Sequence, residues 1–279
     1  MSELQQFGGD WTIEKLDILT SYLDAYLTAL KNQRFEKVYV DAFAGTGSIT
    51  TRDGSRQVAG SAKLALLARN HFDRYYFIEK DKHKAAELDA MVKREFPSLA
   101  RRVCIKCGDA NTELQGICNS INWNNSRALL FLDPYATQVS WTTLERVAHT
   151  GSFDVWYLFP FSALVRMLRR DGKLEQSWID CINRLLGDSG WANEFYEADP
   201  QMNLFETDPI IKTATAEDIQ AYIIKRLKTI FPAVARNPRV FYNECNAPLF
   251  LFCFAVSSNS GAAQKLALKI AEHILQFKR

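Results

Sequence analysis

The chain has 279 residues, 47% hydrophobic and 24% charged, which excludes wholesale disorder and suits one large domain or one domain carrying an insertion. Thirty-four basic residues against thirty-two acidic leave a formal charge of +2. That excludes a polybasic, histone-like binder and leaves room for a local basic face on a neutral body.

Short apolar runs alternate with longer helical patterns, as expected of a parallel sheet flanked by helices. The first helix is expected from Thr12 to about Lys31, with Leu16, Leu19, Leu23, Tyr26, Leu27 and Leu30 on one face. Lys37–Phe43 reads as the first strand, running into a glycine turn. A helix at Gly60–Asn70 and a strand at Arg74–Glu79 follow, then a helix from Lys82 to Phe96 stopped by Pro97. Arg102–Lys106 is a third strand, and Arg127–Asp133, continuously apolar, a central fourth. A helix at Trp141–His149 leads to a fifth strand, Phe153–Phe159. The stretch from about Ser162 to Pro238 reads as mostly helical, with loops at 187–190 and 199–209. Two antiparallel strands around a turn at Asn246–Pro248 and a helix from Gly261 to Phe277 complete the chain. The expectation is one domain, 1–279, built on a seven-stranded, mostly parallel sheet with its last strand antiparallel. A helical insertion at about 162–238 precedes the last two strands and would form the substrate face.

Four polar signals fall at the carboxyl ends of the first four strands, where open α/β sheets bind their ligands. Asp41-Ala-Phe-Ala-Gly-Thr-Gly-Ser carries two glycines one residue apart, which let the backbone turn sharply and approach a ligand. An ordinary strand-to-helix turn is equally compatible with them. Glu79 can accept both hydroxyls of a ribose, or serve the start of the next helix together with Asp81. Asp109, in Gly108-Asp109-Ala110, can accept from an adenine amine, cap the following helix, or do both. Asp133-Pro134-Tyr135 brings together a carboxylate, a proline carbonyl and a flat ring. An exocyclic amine is a poor nucleophile because its lone pair is delocalised. Charged acceptors for its hydrogens contribute roughly 1.5–3 kcal/mol each as the nitrogen pyramidalises. The Tyr135 ring can stack on an extruded base, worth about 1–3 kcal/mol; the rival reading is a turn with a core tyrosine.

In this order the four signals resemble class I S-adenosylmethionine-dependent methyltransferases. The resemblance implies that Asp41, Phe43, Ala44, Gly45 and Gly47 line the methionine part of the cofactor. It also implies that Glu79 and Lys80 hold the ribose, that Asp109 and Ala110 meet the adenine, and that Asp133, Pro134 and Tyr135 receive the target amine. Asp41-x-Phe-x-Gly-x-Gly is similar to the form found in adenine-N6 enzymes. Asp-Pro-Tyr is one proline short of their Asp-Pro-Pro-Tyr and is also similar to the Asp-Pro-Phe-Gly of guanine-N2 enzymes. WTIEKLDILTSYLDAYL, VYVDAFAGTGS, DRYYFIEKD, GDAN, RALLFLDPYATQVSW and FDVWYLFPFSAL, in one order over about 165 residues, resemble the three-Cys-motif partner proteins (TcmP), a bacterial methyltransferase-like family. The cysteine motif of that name belongs to a neighbouring phage-related, radical-type iron–sulfur protein, which the resemblance implies as a partner. The family usually has glycine where this chain has Ala136.

Cys104 and Cys107 are three apart on a strand and would diverge, so no metal is expected. The four histidines have no serine or cysteine partner in the pattern, and nucleophilic catalysis is unsupported. Arg166, Arg169, Arg170 and Lys173 are spaced to share a helical face beside the fifth strand; a phosphate-backbone contact and a plain solvated face are both open. The resemblance implies that the segment of Trp11 and Thr12 lids the cofactor, while the sequence alone equally suits a hydrophobic staple at Trp11. No signal peptide, membrane span or disulfide framework is legible, and a cytoplasmic protein is expected. The function implied is methyl transfer to an exocyclic amine of a nucleic-acid base, adenine N6 or guanine N2. One rival is a non-catalytic or partner-dependent cofactor-binding subunit. The other, a dinucleotide-dependent oxidoreductase, lacks the third glycine of its fingerprint.

Overall fold

The computed structural model describes residues 11–50, 57–198 and 210–276. The expected loop at 199–209 and the segment ahead of Trp11 lie outside these. Three parallel strands open the sheet: β1 (Glu36–Asp41), β2 (Arg74–Glu79) and β3 (Val103–Cys107). Then come β4 (Ser126–Leu132) and β5 (Phe153–Phe159), also parallel, and the shorter β6 (Ala233–Val234), β7 (Arg239–Tyr242) and long β8 (Pro248–Val256). The spatial order is β6–β8–β5–β4–β1–β2–β3, with β7 also on β8.

Among the described residues the central sheet, expected to have seven strands, has eight. The edge position is divided between β6 and β7, which pair antiparallel with opposite ends of β8. Arg236-Asn237-Pro238 interrupts what would be one strand, because proline has no N–H for the ladder. β8 itself runs antiparallel to β5, as expected.

Alternation along the strands sorts the core into two layers. Val38, Val40, Leu130, Leu132, Tyr157 and Phe159 face the side covered by α4 (Ala110–Ser120), α5 (Trp141–His149), α6 (Phe161–Met167), α7 (Gln176–Leu186), α8 (Trp191–Phe195) and α9 (Ala216–Ile230). Tyr39, Tyr75, Phe77, Phe131, Trp156, Phe252 and Phe254 face the other side, beneath α1 (Trp11–Ala29), α2 (Ser61–Leu67), α3 (Lys82–Glu95) and α10 (Gly261–Gln276). This is a Rossmann-like α/β fold, a mostly parallel sheet with helices on both faces. The chain steps from β1 outward to β3, then returns to β4 on the other side of β1. That reversal puts a topological switch point at the carboxyl ends of β1 and β4, the place where such sheets have their ligand crevice.

Candidate active site

The turn after β1 is held from both sides. The Ala42 N–H donates to the Phe131 carbonyl at 3.1 Å, and the Ala44 N–H to the Ile78 carbonyl at 2.9 Å. Gly45 and Gly47 then take φ of +58° and +80°, a region that L side chains enter at a cost of about 1–2 kcal/mol. A Cβ on Gly45 would stand in open space. Glu79 closes the turn: Oε2 accepts the Gly45 N–H at 3.0 Å, and Oε1 the Asp81 N–H at 2.8 Å. Asp81, not Glu79, caps α3, accepting from the N–H groups of His83 and Lys84. The cap itself is therefore Asp81, while Glu79 bridges the glycine turn and the N–H of that cap residue. Lys80 is exposed beside it.

At the end of β3, the Gly108 N–H donates to the Glu79 carbonyl at 3.1 Å. Asp109 caps α4 through the Asn111 and Thr112 N–H groups, while Ala110 is buried behind it. The capping role of Asp109 is established by this geometry, and the residue is exposed just beyond the carboxyl end of β3.

Beyond β4, Asp133 meets a residue that the sequence reading missed. Lys15 of α1 reaches Asp133 Oδ2 with its Nζ at 2.5 Å, its side chain only 4% exposed against 27% for Asp133. The ammonium also lies 5.3 Å from the Trp11 ring centroid. Trp11 in turn packs against Phe250 and Phe241, at centroid distances of 5.0 and 6.1 Å, which makes it a staple of α1 to the β7–β8 edge. A lysine at that depth is expensive unless paired. Its position four residues before Leu19 and seven before Tyr22, both buried, puts it on the core stripe of α1.

Asp41 lies close enough for both Lys15 and Asp133 to act on it. Burial pushes its carboxyl up to about 7; hydrogen bonds from Ser61 and the Phe43 N–H (3.2 Å) oppose that, Asp133 adds to it, and Lys15 opposes it. Its Oδ2 is buried with no hydrogen-bond partner, as is the Tyr39 hydroxyl two residues earlier on the same face of β1. A buried acceptor without a donor costs about 1–3 kcal/mol, so the chain leaves here a polar atom that a ligand donor would satisfy.

Pro134 is buried and trans, and Tyr135 is 70% exposed, which overturns the core-tyrosine reading. Ala136 sits at φ +66°, in the left-handed region. Glycine adopts that conformation without strain, which gives a physical reason for glycine at this position in the resembling family.

The basic cluster does not form as expected. α6 ends at Met167 with Leu168 turning out of helical geometry, so only Arg166 is on a helix, exposed near its end. Arg169 is forked onto Asp171, Nε to Oδ1 at 3.0 Å and a terminal nitrogen to Oδ2 at 2.8 Å. Gly172, at φ +65°, turns the chain before Lys173, whose N–H also bonds Asp171. Arg170 and Lys173 are exposed on this loop, not on a helical face. Asp171 and Gly172, lying between these cations, favour a turn and break the helical spacing. Cys104 and Cys107 lie on β3; among the described residues no group of three or more His, Cys, Asp or Glu is arranged to hold a metal ion. None of the described helices is long and apolar enough to cross a membrane.

No family model and no curated protein matches this chain. Among solved structures it is similar to protein LPL1258 of Legionella pneumophila str. Philadelphia 1, of the DUF519 family, at 10% identity over 93% of this chain and 92% of that one (TM-score 0.48). It is similar to the methyltransferase domain of bacterial CtHen1-C at 10% identity, over 86% of this chain and 98% of that one (TM-score 0.40). It is also similar to spermidine synthase from Thermotoga maritima at 9% identity, over 90% and 61% (TM-score 0.40).

Proposed function

We propose that the protein transfers a methyl group from S-adenosylmethionine to an exocyclic amine of a nucleic-acid base, adenine N6 or guanine N2. The observation that carries this reading is the disposition of Asp133-Pro134-Tyr135 at the crevice. A carboxylate is fixed by a buried lysine and a flat ring stands in solvent, one strand away from a glycine turn clasped by Glu79. The chain's own groups fit the cofactor. Asp41, Phe43, Ala44, Gly45 and Gly47 would supply the turn, with an unsatisfied buried acceptor at Asp41 and open space at Gly45 while Gly47 packs on Met91 and Leu88 of α3; Glu79 and Lys80 would supply the ribose side, and Asp109 and Ala110 the adenine side. The cofactor would supply an electrophilic methyl group. Asp133 and the Pro134 carbonyl would accept the amine hydrogens and aim its lone pair, and Tyr135 would stack on the base. No covalent enzyme intermediate is needed.

In this reading 1–279 is one methyltransferase-like domain, and the insertion expected at 162–238, which ends short of that bound because Ala233–Val234 is strand β6 of the sheet, would form the substrate face. Arg166, Arg170 and Lys173, with Arg169 once released from Asp171, would contact phosphates. The protein would work in the cytoplasm beside a three-Cys-motif partner. The Lys15–Asp133 pair favours a second reading, in which the isolated chain rests with its acceptor carboxylate engaged and the partner is needed for turnover.

The test is transfer of labelled methyl from S-adenosylmethionine to separate DNA, tRNA, rRNA and protein fractions. Label in a nucleic-acid fraction is the expected result. Label only in protein would move the acceptor to a side-chain amine or amide. No label, with S-adenosylhomocysteine still bound, would favour the partner-dependent reading, and adding the partner should then restore transfer.

A further inference from the structure

One side chain joins the turn after β3 to the segment after β4. Asn111, the second residue of α4, is half-buried and uses its amide at both ends. Nδ2 donates to the Gln138 carbonyl at 2.8 Å. Oδ1 accepts from the Ser140 N–H at 2.9 Å and the Thr143 hydroxyl at 2.8 Å, with the Ser140 hydroxyl at 3.1 Å. A carbonyl only accepts and a backbone N–H only donates, so these neighbours fix which way the amide faces. The partners lie 27, 29 and 32 residues further along the chain. A side chain that merely capped its own helix would bond within a turn of itself.

The connections continue in both directions. On one side Asp109 Oδ1 holds the Asn111 N–H at 3.0 Å, and the Gly108 N–H reaches the Glu79 carbonyl. On the other, Gln138 Oε1 accepts the Tyr135 N–H at 3.0 Å. A run of polar contacts therefore leads from Glu79, through Gly108–Asn111 and Gln138, to Tyr135. Val139, between Gln138 and Ser140, is buried and anchors the segment at that point.

We propose that Asn111 is a positioning residue that couples the two halves of the site. An adenosyl ligand held by Glu79 and Asp109 steadies, through Asn111, the segment that presents Tyr135 to the acceptor. The inference rests on the cofactor reading above and adds an order to it: cofactor binding prepares the acceptor side.

Amide hydrogen exchange with and without S-adenosylhomocysteine tests this in the full chain, comparing wild type with Asn111→Ala. In wild type the ligand should slow exchange both at 43–47 and at 134–140, the latter at least about fivefold, the equivalent of one hydrogen bond. In Asn111→Ala the protection at 43–47 should remain and that at 134–140 should vanish. S-adenosylhomocysteine affinity should stay within about threefold, while kcat at saturating cofactor falls about tenfold. Asn111→Asp, which keeps the acceptor and loses the donor, should recover part of the rate. If Asn111→Ala does not fold, Gln138→Ala removes the side-chain link to Tyr135 without touching α4, and should abolish ligand-dependent protection at Tyr135. Equal protection of 134–140 in wild type and variant overturns the coupling alone. Protection nowhere, even at 43–47, overturns the cofactor reading and the coupling with it.

Discussion

Helix α1 lays two polar side chains against the same aromatic face of the sheet, seven residues apart, and they meet carboxylates at opposite ends of it. At the carboxyl end Lys15 pairs with Asp133, with Asp41 close by. At the amino end the Tyr22 hydroxyl donates to Asp154 Oδ2 at 2.8 Å, where β5 begins. Burial pushes Asp154 up to about 7, opposed by Tyr22 and by the Arg127 charge, and drives the Tyr22 phenol well above its ordinary range. A neutral donor is enough at that end, because the carboxyl can keep its proton. Beside it the strand is closed off by Ser257, whose hydroxyl accepts the Phe153 N–H. At the other end the partner is a full positive charge, and next to it are a strained turn, an orphaned acceptor and an exposed tyrosine. Similar pairs on one helix thus stand in different surroundings: one ties the helix to the amino end of the sheet, and the other fixes the carboxylate proposed above as the amine acceptor.

That contrast fails outright if Asp133 is dispensable. Asp133→Ala removes the proposed amine acceptor and leaves the Lys15 ammonium buried without its partner. Transfer should fall at least about a hundredfold while S-adenosylhomocysteine affinity, read by calorimetry, stays near wild type. Transfer persisting in this variant would place the acceptor site elsewhere. Lys15→Met keeps the aliphatic stem and removes the charge. It should lower kcat about tenfold, with Lys15→Arg recovering part of it, since the loss is one of aim and not of the acceptor itself. A Lys15→Met enzyme that lost cofactor affinity and kept kcat would make Lys15 a cofactor ligand instead. Glu79→Ala reaches the same crevice from β2. Losing the acceptor that clasps Gly45 should weaken S-adenosylhomocysteine about tenfold, and unchanged affinity would remove Glu79 from the site.

The sheet was legible because its strands are short apolar runs ending in polar turns, and helix α5 and strand β5 fall where the pattern puts them. The placement of the glycine turn, Glu79, Asp109 and Asp133-Pro134-Tyr135 was legible too, since each lies at a strand end and topology brings strand ends together. Lys15 was not, although it stands on the same stripe as Leu19; a charged residue there reads as solvated until its partner 118 residues away is in place. Asn111 was passed over for a similar reason, because every partner of its side chain is distant in sequence. Arg169 and Lys173 failed in the opposite direction. Helical spacing assumed a helix through 173, but Asp171 and Gly172 favour a turn, and the local ion pair took the guanidinium.

The amino-end pair offers the mildest test and the sharpest contrast. Asp154 titrates near 7 in the folded chain and near 3.9 when unfolded, so its contribution to stability is complete below about pH 4. Above that the unfolded chain releases a proton that the folded chain keeps, and stability drains away as pH rises toward 7. Asp154→Asn can still accept from Tyr22 but has no proton to lose. Its unfolding free energy relative to wild type should therefore rise between pH 5 and pH 8, by about 1 kcal/mol once solvent screening of the partly exposed group is allowed for. Asp41, also near 7, is present in both proteins and cancels in the difference. Chemical denaturation at the two pH values measures it, and kcat should be unchanged. A constant difference across pH would mean that Asp154 is ionised throughout. A fall in kcat to match Lys15→Met would mean that α1 transmits strain from one end of the sheet to the other, and that the two ends do not act separately.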